Sequence, residues 1–119
     1  ISSKIILRGA ISCEQLCKHY RESSVYIMTS RWEGMPLVLA EAMSFGLPII
    51  SFDNSGANEV LDNGKYGLLV EQGNVENFSK ELNRMISSYE LRKEYSQKSL
   101  ERIIDFDIEH IIKQWDDIL

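Results

Sequence analysis

Two carboxylates spaced eight apart bracket the stretch Glu33-Gly34-Met35-Pro36-Leu37-Val38-Leu39-Ala40-Glu41. Pro36 suits the first position of a helix, because the N–H that proline lacks would have no intrahelical partner there. The helix it opens is apolar at almost every position, which predicts cover on most sides. Glu41 is the exception, a carboxylate in the second turn that needs a partner or a ligand if it is buried. The free amides of a helix start, with the dipole behind them, are suited to an anion such as phosphate. Glu33 on the entering loop and Glu41 beyond the amides therefore mark out a candidate site for an anionic ligand.

Other chemistry-bearing residues read differently. Cys13 and Cys17 lie on one predicted helix with no further cysteine and no neighbouring ligand pattern. Neither a metal centre nor a disulfide framework is indicated, and reduced thiols of a cytoplasmic protein fit. His19 and His110 lack carboxylate or metal-ligand surroundings and read as surface residues. Glu59, early in a short predicted helix, reads as structural. Asn54 and Ser55 are turn residues facing the same crevice. Arg8 and Arg31 border it and either touch phosphate or are solvated. Trp32 is either a contact beside the crevice or packing.

The elements that position these residues follow from the chain's pattern. At 119 residues, 44% apolar and 26% charged, residues 1–119 form a single globular domain. The net charge of −5 and the lack of a basic stripe argue against nucleic acid or an anionic membrane as partner. No apolar run of membrane-spanning length occurs. Lys4 to Gly9 reads as a buried strand, and Ser12 with Gln15 as a capping box opening a helix to about Glu22. Val25–Thr29, Ile49–Phe52 and Gly67–Val70 complete about four strands. Helices are predicted over about Pro36–Phe45, ended by Gly46, and over Ala57–Leu61, before the Asn63-Gly64 turn. Asn74 caps a helix carrying Phe78, Leu82 and Met85, and another starts near Glu90. A last one carries Ile108, Ile111, Ile112, Trp115, Ile118 and Leu119 as a stripe, mostly core by type. Alternating strands and helices predict an α/β fold, a Rossmann-like, mainly parallel sheet with a helical C-terminal tail. Ligands of such sheets bind beyond the carboxyl ends of the strands, where the loops at Gly9–Ile11, Ser30–Met35 and Asp53–Gly56 should converge.

The sequence resembles the retaining nucleotide-sugar glycosyltransferases of GT-B architecture, and more closely the group 1 (family 4) set found in bacterial polysaccharide assembly. Gly9, Tyr20, Ser30, Glu33-Gly34-Met35-Pro36, Glu41-Ala42-Met43, Gly46-Leu47-Pro48, Gly56, Glu59, Gly64 and Gly67 carry the resemblance. It implies the donor-binding part of a GT-B C-terminal domain, with a nucleoside diphosphate sugar as donor, no cofactor and no metal. Glu41 would bond the ribose hydroxyls. Glu33, the catalytic candidate, would contact the donor sugar, helped by amides of Gly34, Met35 and Pro36's neighbours, while the amides of Leu37 and Val38 hold the diphosphate. Gly9 and Ala10 would lie near the base, with Ser30 and Arg31 as further candidates at the crevice.

By the same resemblance, the N-terminal acceptor domain and the first two strands of the C-terminal domain, with their Arg and Lys, are absent. Those cations stabilise charge in the transition state, usually the largest catalytic term. The chain is expected to be a truncated segment, with a glycan or lipid-linked acceptor bound by the missing domain. The family's C-terminal helix crosses back towards that domain, so part of the Ile/Trp stripe would be bare. In a sheet of order 3-2-1-4-5-6 the loss leaves an exposed edge, which is expected to pair in a new way or to join a homodimer or partner chain. Expected localisation is cytoplasmic, with the full-length enzyme at the inner face of the membrane. The alternatives are a non-catalytic sugar-nucleotide-binding subunit that needs a separate catalytic partner, and a related GT-B epimerase.

Overall fold

The computed structural model describes residues 4–107 and 116–118. The Ser12 hydroxyl accepts from the Gln15 amide at 3.2 Å, and Gln15 Oε1 accepts from the Ser12 amide at 3.1 Å. This closes the capping box and starts helix α1, Cys13–Glu22. Strand β1 (Tyr26–Met28) leads to α2 (Leu37–Ser44), β2 (Ile49–Phe52) to α3 (Ser55–Val60), and β3 (Leu68–Val70) to α4 (Val75–Ser87). Helix α5 (Tyr89–Ile103) and a 3-10 turn (Ile104–Phe106) follow. Gly46, at φ +70°, ends α2 in the left-handed conformation that glycine adopts without penalty.

The sheet is parallel, in the order β1-β2-β3, with Ile27 opposite Ile50 and Ser51 opposite Leu69. Every residue of the central strand β2 is buried, as a strand covered on both faces must be. Ile49 packs with Met28, Leu39, Met43, Val60 and Leu61 on one face. Ile50 and Phe52 pack with Val70, Phe78 and Met85 on the other, under α4 and α5. The result is an α/β/α arrangement with two apolar layers. Ser99, fully buried on α5, donates from its hydroxyl to the Leu47 carbonyl at 2.7 Å and so fixes α5 to the turn before β2.

Expectations about the strands and about the start of α2 need correction. Lys4 to Gly9 is not a strand, so the sheet has three strands rather than about four. Ile5, Ile6 and Leu7 are 61%, 66% and 93% exposed. An apolar run becomes a buried parallel strand only beside a neighbour that takes its backbone bonds, and among the described residues this run has none. Nor does any new pairing occupy the free edge of β1 among those residues. Pro36 is also the residue before the helix rather than its first turn. In the predicted last helix, Ile108, Ile111, Ile112, Trp115, Leu119 and His110 lie outside the described residues, while Ile118 is exposed.

Arg102 closes the fold at the far end of α3. Its Nε and Nη2 donate to the carbonyls of Val60 and Glu59, both at 2.9 Å, and its Nη1 binds Asp105 at 2.9 Å. The guanidinium lies 5.3 Å from the Tyr66 ring centre and 5.0 Å from that of Phe106. Arg102 thus adds side-chain donors at the end of α3, where the Glu59 carbonyl also accepts from backbone amides. Arg102→Ala should cost about 1–3 kcal/mol in chemical denaturation. Arg102→Lys should recover only part of this, because an ammonium cannot reproduce the planar fork.

Candidate functional site

The carboxyl ends of the strands feed loops that are tied to one another. Asn54 accepts from the Ala57 amide through Oδ1 at 2.9 Å, capping α3, while its Nδ2 donates to the Ser30 carbonyl at 3.2 Å. Gln72, just past β3, donates from Nε2 to the carbonyls of Ser30 and Arg31 at 3.1 and 3.2 Å. The Gly56 amide donates to the Glu33 carbonyl at 3.1 Å. A Cβ on Gly56 would fall 2.7 Å from the carbonyl oxygens of Glu33 and Gly34 and 2.8 Å from Pro36 Cδ. The loop that carries Glu33 therefore rests directly on the first turn of α3.

That loop delivers the start of α2. Pro36 has φ −77° and ψ 90° and offers no side-chain acceptor, so no side chain caps the helix. The first bonded amide is that of Leu39, which donates to the Pro36 carbonyl at 3.0 Å. Among the described residues the amides of Leu37 and Val38 have no partner and are left for solvent or a ligand. Leu37 and Val38 are 68% and 40% exposed, whereas Leu39, Ala42 and Met43 are fully buried. Helix α2 is thus covered on one face rather than on most sides. Glu41 is exposed, not buried, and projects on the open face one turn beyond Leu37.

Glu41 has a partner that the sequence did not reveal. The Tyr20 hydroxyl donates to its Oε2 at 3.0 Å, whereas neither Arg31 nor Lys65 pairs with it among the described residues. Tyr20 is buried, stacked on Phe45 at 5.2 Å and close to Tyr26 at 6.1 Å. Burial, and then the hydrogen bond and charge of Glu41, push its pKa above the ordinary value of 10 and keep it a donor. Burial also raises Tyr26, followed by the charges of Glu41 and Glu33. The two carboxylates thus bear on the same tyrosine.

The remaining candidates separate. Ser30 and Arg31 reach the site through their carbonyls, and the Arg31 side chain is exposed with no carboxylate partner among the described residues. Met35 is 48% and Trp32 81% exposed, so with Leu37 and Val38 they leave a bare apolar margin around α2's first turn. Gly9 and Ala10 are exposed, and no hydrogen bond joins them to these loops among the described residues. Glu59 is exposed, and its carbonyl serves Arg102. Gln72 was not foreseen, although a polar residue two positions after a parallel strand is the available signal. The triplet Asp105-Phe106-Asp107 has the Asp-x-Asp spacing of a metal motif, but Asp105 is engaged with Arg102. No cluster of three His, Cys, Asp or Glu suited to a metal occurs among the described residues.

Residues 1–102 match the family profile described as glycosyl transferases group 1. The chain is 39% identical over 107 residues to the amylovoran biosynthesis glycosyltransferase AmsD of Erwinia amylovora, covering 89% of this chain and 30% of that protein. It is 42% identical over 102 residues to an uncharacterized glycosyltransferase of Haemophilus influenzae, covering 85% and 29%. The crystal structure of TarM superposes with a TM-score of 0.83 at 25% identity, over 98% of this chain and 24% of that one. The chain therefore spans less than a third of the length of these curated relatives.

Two variants probe the ledge. Gly56→Ala should cost about 1–3 kcal/mol in thermal unfolding, as overpacking against backbone does, and should shift the amide resonances of Glu33 and Gly34. Tyr20 stays protonated longer folded than unfolded, so its contribution is whole below pH 10 and declines as pH rises above it. The melting temperature of Tyr20→Phe should accordingly fall less steeply above pH 10 than that of the wild type.

Proposed function

We propose, since this chain belongs to the group 1 glycosyl transferases, that its ledge binds a nucleoside diphosphate sugar. One observation carries the reading: Glu41, held by Tyr20, projects on the same open face as the uncapped amides of Leu37 and Val38. Those amides and the helix dipole suit a diphosphate. Tyr20 occupies one carboxylate oxygen of Glu41 and leaves acceptor capacity for the paired hydroxyls of a ribose. Glu33, on the loop braced by Gly56, takes the donor sugar together with the amides of Gly34 and Met35. Carboxylates at both ends of the amide cluster favour hydroxyl groups there and confine the phosphates to the middle.

In the whole protein this donor site would serve retaining transfer of a hexose to a glycan or lipid-linked acceptor, without a metal or other cofactor. The relative named for amylovoran biosynthesis supports a polysaccharide product. The apolar margin of Trp32, Met35 and Leu37 suits cover by an acceptor-binding domain. The free edge of β1, with Ile27 44% exposed, suits a second copy or a partner chain. Among the described residues no helix is long and apolar enough to cross a membrane, and a cytoplasmic site at the inner membrane face fits a lipid-linked acceptor.

Thermal-shift and calorimetric titration with UDP, GDP and ADP sugars tests the assignment. One series should stabilise the chain, and Glu41→Ala should weaken its binding about tenfold or more, as loss of a charged hydrogen bond does. Equal shifts for wild type and Glu41→Ala would refute the ribose role of Glu41. Binding that stays without turnover when the acceptor-binding polypeptide is supplied would favour a non-catalytic sugar-nucleotide-binding subunit.

A further inference from the structure

The opposite rim of the sheet carries a second feature, whose lining shares Tyr20 with the ledge. A cleft of about 380 Å³ opens where the turns leading into β1 and β2 meet the first turns of α5. Its lining includes Arg21, Arg92 and Lys93 and, among the described residues, no aspartate or glutamate. This sign is opposite to that of the chain as a whole, which has 18 acidic and 13 basic residues. The acidic neighbours in sequence, Glu22 and Glu90, are not part of the lining. Ser24, Ser96 and Tyr89 also line the cleft, with Phe45, Leu47 and Pro48 as its apolar part.

Two of the three cations are unengaged among the described residues, and the third keeps part of its donors free. Arg92 donates from Nη1 to the carbonyls of Met85, at 3.0 Å, and Ile86, which anchors it to the end of α4. Its Nε–H and Nη2 donors have no protein acceptor among the described residues. Arg21 and Lys93 are exposed, and neither has a carboxylate in ion-pair range among those residues. Lys93 stands in the second turn of α5, one turn after Tyr89 on the wall of the cleft. Three cations and residues bearing hydroxyls around one concavity make a receptor for oxygen-rich anions.

We propose that this cleft binds a phosphate group. Its volume exceeds that of a single phosphate, so the ligand is either a soluble organic phosphate or the headgroup of an anionic phospholipid, and the chemistry at the cations is shared. Inorganic phosphate titrated into the 119-residue chain, followed by residue-resolved NMR, gives the first test. Saturable shifts should appear at the amides of Ser24, Lys93 and Ser96, whether or not Leu37 and Val38 shift as well. The double variant Arg21→Glu/Lys93→Glu, with its fold verified by circular dichroism, should bind at least tenfold more weakly.

Co-sedimentation with phosphatidylglycerol vesicles, against phosphatidylcholine controls, separates the two sources. Vesicle binding that the double variant abolishes identifies a lipid headgroup. Phosphate binding without vesicle binding identifies a soluble ligand. Unsaturable shifts, shifts confined to Leu37 and Val38, or equal affinity in the double variant would overturn the proposal. None of these outcomes depends on whether the ledge binds a sugar nucleotide.

Discussion

The contact on which the site depends is that of Gly56 with the loop Glu33–Pro36. The loop's carbonyls and the proline ring come so close to the first turn of α3 that no side chain fits between them. The Gly56 amide fixes the height of Glu33, and Pro36 then fixes where α2 begins. Since Pro36 cannot cap the helix with a side chain, the placement leaves its first amides open. A packing restriction in α3 thus becomes a chemical property of α2.

The second consequence concerns direction. With Leu39, Ala42 and Met43 in the core, Glu41 must emerge on the opposite face, beside Leu37 and Val38. There, a lone glutamate would sample several rotamers. Tyr20 restricts it, being itself immobilised between Phe45 and Tyr26. Burial and the carboxylate's own charge both keep the phenol protonated, so the bond reinforces the state that forms it. The ring that orients Glu41 also lines the cationic cleft at the other rim, and α1 therefore serves both ends of the sheet.

Much of this was legible where the determinants are local. The capping box at Ser12, the cap at Asn74, the glycine end of α2 and the unbroken buried run of β2 are each set by residues a few positions apart. The positions of Glu33 and Glu41 were likewise readable, because the loop–helix junction is encoded in one run. Tyr20 with Glu41, Gln72 with Ser30 and Gly56 under Gly34 join residues that only the fold brings together, and periodicity does not report such pairs. Exposure was misjudged for the same reason. An apolar helix and an apolar run at Ile5–Leu7 read as buried, but burial belongs to the neighbour as much as to the segment.

That distinction separates what the ledge needs from what it offers. The bonds that shape it run between Tyr20 and Gln72, through Ser30, Glu33, Asn54 and Gly56. They join α1 to α2 and the loops that follow β1, β2 and β3 to one another, and the central strand is sealed on both faces. The geometry of carboxylate and amides is therefore built from contacts within this stretch. What stands open is of another kind: Trp32, Met35, Leu37 and the edge residue Ile27 are large, apolar and peripheral. Exposed apolar surface at the margin of a polar site adds nothing to its internal stability, but another surface that covers it excludes water from the site. In water-exposed surroundings the hydrogen bonds of Glu41 and the amides are weak discriminators. Covered, the same groups act at lower dielectric, where their orientation has its full electrostatic effect. The rigid inner contacts set the geometry of the ledge, and the open margin determines when that geometry becomes strong.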